Sequence, residues 1–370
     1  MEAALLDELG GADTPERAEA WRYSRNALRA LAQMSFVAAD PDLALAPEVC
    51  AQFAWPHTQG RRLVFINGRL SGAHSDLRDE GIVVAADAGT IHIVDAARPL
   101  HLVHIGVPGA NAARWQTTLD LQVSSARASL IEQHIGVPGG DLLGVFDLHI
   151  QVAERAALDW VVLSELGEQA ALLRRVKLGM AGQSQVRRSD ALFGGRLQRL
   201  ELGVELAGAQ ARLESRGTFV LRGREHAEVR LDVRHQAREC ACDVLWRGVA
   251  DQRARGIFHG GITVEPGADG SDARLSSKNV LLSALAEIDT QPVLEIHADE
   301  VQAGHGATVG QIDERALFYL RSRGIPLEQA RRMLVAAFCA QALGAIGDDG
   351  LRERIDALAQ ARLPSPDAAQ

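Results

Sequence analysis

His305 stands between two glycines in the run Gly-His-Gly-Ala-Thr-Val-Gly over residues 304–310. A neutral imidazole there would suit a borderline-soft metal such as iron, or a proton-carrying role. The plainer alternative is a turn histidine that hydrogen-bonds the backbone. Cys240 and Cys242 are spaced i, i+2, so on a strand they share a face. They could hold a thiophilic metal, or simply fill a core as small buried thiols do. Glu287, Asp289, Glu295, Asp299 and Glu300 make an acidic group. Its members could act as general acids and bases, pass iron as hard ligands, or line a solvated strand edge. The solvated edge is the simplest of these readings. Cys50 and Cys339 read as apolar helix or loop residues.

Several chemistries are excluded. The sequence has no G-x-x-x-x-G-K-S/T phosphate loop, so the chain is not expected to hydrolyse ATP by itself. It has no G-x-S-x-G elbow and no H-E-x-x-H helix. The net charge is −9, from 48 acids against 39 bases. That argues against a general nucleic-acid binder, which needs a basic field. Aromatics are only 4%, too few for a base-stacking platform. Four cysteines in 370 residues do not make a disulfide scaffold. No apolar run is long enough to span a membrane, and residues 1–8 lack a signal-peptide pattern. A cytoplasmic protein is therefore expected. With 47% hydrophobic and 24% charged residues, the chain can bury a substantial core.

The elements that must position these groups fall into three blocks. Residues up to about 35 read as helix: Leu5, Leu6 and Leu9 give one face, and Asp13-Thr-Pro-Glu16 starts a second segment in which Trp21, Leu28 and Leu31 share a face. Residues 36–60 are looser. From Arg61 the pattern becomes short strands, the first closed by an Asn67-Gly68 turn. Ile82–Ala85, Thr90–Asp95, His149–Val152, Arg199–Leu206, Ala227–Val233, Gly256–His259, Gly261–Val264 and Val293–His297 continue it. Within this block Asn111–Trp115 and Ser124–Gln133 are expected to be short helices. About two hundred residues of short strands fit a solenoid better than a sandwich or barrel, although no strict repeat is visible. The last block is helical. One helix starts at Asp313 and stops at Gly324. A second follows Pro326, with Ala330, Leu334, Ala337, Phe338 and Gln341 on one face. A third covers roughly Leu351–Ala361.

Residues 279–325 carry a dense family pattern. Its blocks are Leu281-Leu-Ser283, Ile288-Asp-Thr-Gln-Pro292, Leu294-Glu-Ile296, Ala298-Asp299, His305-Gly-Ala-Thr-Val-Gly310 and Leu317-Phe-Tyr-Leu-Arg-Ser-Arg-Gly324. The chain closely resembles the SufD-type members of the SufB/SufD family, scaffold proteins of SUF iron–sulfur cluster assembly. Val64–Arg69 and Phe258–Val264 resemble the family more thinly. The D type is favoured because B-type members usually follow the equivalent histidine with Glu-Ala-Ser and a lysine.

The resemblance implies a mainly β fold: a right-handed parallel β-helix flanked by N-terminal and C-terminal α-helical regions. The expected divisions are residues 1–88, helical with a short strand segment; 89–312, the β-helix core; and 313–370, a C-terminal helical region. It further implies a non-catalytic scaffold that pairs with a SufB-like subunit and a SufC-like ATP-binding-cassette ATPase. A transient iron–sulfur cluster or iron would be its cargo, with no cofactor held stably by this chain alone. His305 is the candidate ligand at the partner interface. Phe318, Tyr319, Arg321, Arg323 and Gly324 are the candidate ATPase-docking residues, with the two arginines alternatively capping their own helix. A homodimer in isolation is a further expectation, from an exposed strand edge. Two departures stand out. The family commonly has Cys-Ser before His-Gly where this chain has Ala303-Gly304. The Cys240/Cys242 pair is not a family mark. The rival reading is a polysaccharide-acting β-helix enzyme using Asp289, Glu295 and Asp299.

Overall fold

The computed structural model describes residues 21–55, 58–78, 81–85, 89–94 and 98–363. The helices expected before residue 21 lie outside the described residues. The strands of the first turns are β1 (Val37–Ala38), β2 (Arg61–Ile66), β3 (Arg69–Leu70), β4 (Asp76–Leu77), β5 (Ile82–Val84), β6 (Thr90–Ile93), β7 (Leu100–Gly106), β8 (Ala113–Val123) and β9 (Ala128–Gly136). The middle turns are β10 (Leu142–Val152), β11 (Ala157–Leu166), β12 (Ala170–Met180), β13 (Gln185–Gly194), β14 (Leu197–Leu206) and β15 (Arg212–Leu221). The last turns are β16 (His226–His235), β17 (Ala241–Ala250), β18 (Arg255–Val264), β19 (Asp272–Leu281), β20 (Glu287–Ile296) and β21 (Gln302–Gly310). The helices are α1 (Arg25–Ala32), α2 (Pro47–Phe53), α3 (Glu314–Ser322), α4 (Leu327–Leu343) and α5 (Asp349–Ala361).

Even-numbered strands from β6 to β20 stack in one sheet, and odd-numbered strands from β7 to β21 stack in the other, each parallel to its neighbour. The result is a mainly β, parallel solenoid of about 8 turns with helices at both ends of the chain. The apolar bore between the sheets is the main core, with Trp160, Phe146, Phe219 and Trp246 fully buried in it. The register explains why no repeat shows in the sequence. Ala171 pairs with Leu197, 26 residues on, whereas Arg255 pairs with Glu287, 32 residues on. The turns absorb this variation, so equivalent positions do not recur at a fixed spacing.

Helices cover parts of the outer sheet faces. α1 lays Leu28 and Leu31 on Leu143, Val145, Leu173 and Leu197. α2 lays Val49 and Phe53 on β2 and β7. α4 and α5 pack Val335, Cys339, Leu351 and Ile355 on Ile131, Leu163, Phe193 and Val220. Strands under a helix are buried on both faces and lose the period-two pattern; β7 is buried at every position.

Three expectations need correction. Residues 111–134 form no helix: β8 and β9 occupy them. In β8, Ala113, Trp115, Leu119, Leu121 and Val123 alternate inward, while in β9 adjacent Leu130 and Ile131 face different cores. The segments Gly256–His259 and Gly261–Val264 are one strand, β18, with Gly260 packed so close to Leu275 that an added Cβ would lie 2.4 Å from its Cδ1. In α4 the seated face is Ala330, Val335, Cys339 and Leu343, with Phe338 half-buried and Ala337 exposed. Apolar residues ring that helix from Leu334 to Cys339, so periodicity alone does not choose its face. The Asn67-Gly68 turn is as expected: both residues have positive φ, at 46° and 85°, joining β2 to β3.

One device has no sequence signal. Arg155, Gln183, Gln210 and Glu239 occupy the left-handed region at the same corner of successive turns. Their side chains form a ladder: Arg155 Nε donates to Gln183 Oε1 at 2.9 Å, Gln183 Nε2 to Gln210 Oε1 at 3.1 Å, and Gln210 Nε2 to Glu239 Oε2 at 2.7 Å.

Candidate functional site

The solenoid ends on β20 and β21. Each is hydrogen-bonded to one inner strand, β18 and β19 respectively, so each presents an outer edge at the end of its sheet. His305 lies in β21, opposite Leu275, and is exposed. A Cβ on Gly304 or Gly306 would meet nothing within 4 Å, so the imidazole is flanked by open space. It shares a shallow groove with Asp243, Asp272, Arg274, Gln302 and Ala303. Exposed Ile296 and Val309 lie on the same two end strands.

The acidic residues do not converge. Glu287 and Asp289 both accept from Arg255 Nη2 at 3.3 Å, and the same guanidinium donates through Nη1 to the Tyr23 carbonyl at 3.1 Å. Asp289 and Glu295 lie on one strand six residues apart, about 20 Å along it. A glycosidase carboxyl pair needs roughly 5–10 Å. Asp299 and Glu300 lie in the segment between β20 and β21, where the Glu300 carbonyl accepts from Gly270 N. Among the described residues no group of three or more His, Cys, Asp and Glu is placed to hold a metal ion.

Cys240 and Cys242 are buried among the apolar residues of the bore. Cys242 Sγ lies 3.2 Å from His235 Nε2, and burial pushes its thiol up to about 12. Burial also raises Cys240, whose Sγ lies 3.3 Å from the Gly208 carbonyl. Both are therefore protonated thiols at neutral pH in the metal-free chain. Cys339 is buried under α4 and likewise pushed up to about 12. Cys50 is half-buried against the core under α2.

In α3 the Asp313 carboxylate caps the helix by accepting from Arg315 N at 2.9 Å, and Gly324 follows its end at φ 86°. Leu317 is the buried residue of this helix. Phe318 and Tyr319 face solvent, at 74% and 58% exposure, the two most exposed aromatics among the described residues. Arg323 lies over the Tyr319 ring, 5.3 Å from its centroid, and Arg321 is in the last turn of the helix. Between α3, α4 and the end of the solenoid is a cleft of roughly 420 Å³, lined by Leu282, Ser283, Leu317, Arg331 and Arg332 among others.

The bore also holds a charged group that no sequence argument singled out. Glu132 accepts from Arg174 Nη2 at 2.6 Å, from Trp160 Nε1 at 3.1 Å and from His134 Nε2 at 2.5 Å. Burial alone would raise this carboxyl, but Arg174 and the His134 hydrogen bond outweigh it and hold it well below the usual range. One turn on from Trp160 and in register with it, Arg188 donates to both oxygens of Asp190 at 2.7 and 2.8 Å and lies 3.8 Å over the Trp160 ring. His104 and His134 are kept neutral, chiefly by burial. The signal available was Glu132-Gln-His134 inside an apolar run, which reads equally well as a helix face.

Comparison with known proteins places these features in context. The family model described as "SUF system FeS cluster assembly, SufBD core domain" matches residues 111–338. The chain is 30% identical over 82% of its length to the iron–sulfur cluster assembly protein SufD of Escherichia coli, covering 79% of that protein. It is 24% identical over 94% of its length to a SufBD family protein of Synechocystis, covering 87% of it. It is 32% identical to the SufD of Bacillus subtilis over 38% of this chain and 32% of that protein.

Proposed function

The chain is a SufD-type member of the SufBD family of SUF iron–sulfur cluster assembly proteins, and on that premise we propose that it is a non-catalytic scaffold. It pairs with a SufB-like subunit through the outer edges of β20 and β21. Unpaired strand edges are templates for further pairing, and here they carry exposed apolar Ile296 and Val309. A nascent iron–sulfur cluster, the cargo of the assembly, forms between the two scaffolds. His305 is this chain's contribution, as ligand or proton carrier. Sulfur handling falls to the partner, because Ala303 stands where relatives commonly have cysteine.

The single observation that carries this reading is the exposed His305, flanked by open space on the end strand of a family-matched solenoid. Because His305 is exposed, His305→Ala is expected to leave the fold and complex assembly intact. Cluster formation on the purified complex, followed by visible absorption, is expected to fall at least tenfold. Unchanged cluster formation with an intact complex would sink the ligand role and leave a plain assembly adaptor.

The C-terminal helices dock a SufC-like ATPase, which supplies the ATP-driven motion that this chain has no phosphate loop to generate. Phe318 and Tyr319 are the anchors, since large aromatics exposed on a helix lose most by staying wet. Phe318→Asp with Tyr319→Asp is expected to abolish co-purification of the ATPase while the melting temperature moves by less than about 2 °C, because neither ring packs in the core. Retained capture by the double variant would move the docking surface elsewhere. We infer a cytoplasmic location from the family's assembly role; no helix among the described residues is long and apolar enough to cross a membrane.

A further inference from the structure

We propose that the bore of the solenoid contains a built hydration site, bounded by His104, His134 and Arg174, that holds at least one ordered water molecule. His104 is 2% exposed, and its ring stacks between Phe65 and His134, with centroids 4.9 Å away on each side. Phe146 closes the group at 4.4 Å. In this apolar stack both ring nitrogens of His104 lack a protein partner. His134 donates a hydrogen bond through Nε2–H to the Glu132 carboxylate, which leaves Nδ1 as a lone-pair acceptor, also without a protein partner. Arg174 spends Nη2 on Glu132 and has no partner at Nε or Nη1. Ser164 follows His134 in register, and its buried hydroxyl is unpartnered too.

The unmet groups are complementary. Arg174 offers two donors, His134 one acceptor, and neutral His104 one of each. They lie together: His134 and Arg174 share the same Glu132 oxygen, and Phe146, which pairs in register with Arg174, contacts both imidazole rings. Leaving a buried donor or acceptor unpaired costs about 1–3 kcal/mol each, and buried water is the usual remedy. The ligand is a neutral molecule able both to donate and to accept. An anion is disfavoured, because Glu132 and Asp190 already neutralise Arg174 and Arg188.

A crystal structure of the full chain at about 1.8 Å or better tests this directly. The expected result is a density peak within about 3.2 Å of Arg174 Nε or Nη1 and of a His104 or His134 ring nitrogen. A bore without such a peak overturns the proposal. His104→Phe gives an independent reading. In a hydrated site the phenyl ring displaces the water and strands Arg174 and His134, so the melting temperature falls by about 2 °C or more, and magnetic relaxation dispersion counts at least one fewer long-lived internal water. In a dry bore the same substitution removes two unpaired nitrogens from an aromatic stack. A higher melting temperature with an unchanged water count would therefore refute the site. If the variant does not fold, the crystal structure of the unaltered chain decides.

Discussion

Lowering the pH from 7 to 4.5 is expected to lower the melting temperature of this protein steeply. Four histidines are held neutral in the fold, chiefly by burial. His226 is lowered to about 3 and His235 to about 4, and His104 and His134 are also driven down. In the unfolded chain each returns to about 6.5. Between roughly pH 6.5 and pH 4 the unfolded chain therefore binds more protons than the folded one, and stability falls as pH falls. Each histidine that charges only on unfolding contributes about 1.4 kcal/mol per pH unit. Four acting together remove about 11 kcal/mol by pH 4.5, two units below 6.5, which is comparable with a whole net stability of about 5–15 kcal/mol. Glu132 works in the same direction below about pH 4.5, because its carboxyl is held low in the fold and ordinary when unfolded. Circular dichroism melts at half-unit pH steps provide the check. A melting temperature flat from pH 7 to 4.5 would mean that the four imidazoles are not buried as described.

Glu132→Gln is expected to be the most damaging single substitution of near-equal size. Glu132 is fully buried and is the carboxylate that pairs with buried Arg174. The amide preserves shape but leaves the guanidinium charge uncompensated in the bore. Removing one member of a buried pair costs about 3–5 kcal/mol, or ~5 °C in melting temperature for a chain of this length. A pair of stabilities measured in urea, for Glu132→Gln alone and combined with Arg174→Met, separates the charge effect from packing. The account expects the second substitution to restore part of the loss. A single variant as stable as the unaltered chain would contradict it.

The strand grammar, the C-terminal helices and the end-strand histidine were legible in the sequence because each rests on local chemistry. Asp313 and Gly324 mark the bounds of α3 through capping and a left-handed residue. Asn67-Gly68 marks a hairpin through its positive φ angles. The solenoid itself was legible mainly through family resemblance, since turns that vary from 26 to 32 residues erase a fixed repeat. What stayed hidden depends on what covers a strand. Leu130 and Ile131 are both buried because the bore takes one and the helices α4 and α5 the other, so β9 imitates a helix. Glu132 and His134 were hidden with it. The dispersal of Asp289 and Glu295 along β20 was equally invisible, because residues near in sequence are far apart on an extended strand.

The central claim is an assembly role alongside a second scaffold and an ATPase. Its most direct test is affinity purification of the tagged full chain from native, anaerobic cell lysate, with co-purifying chains identified by mass spectrometry. The account predicts recovery of an ATP-binding-cassette ATPase together with a second β-helix scaffold of the same family. A clean monomer or homodimer with neither partner would contradict it.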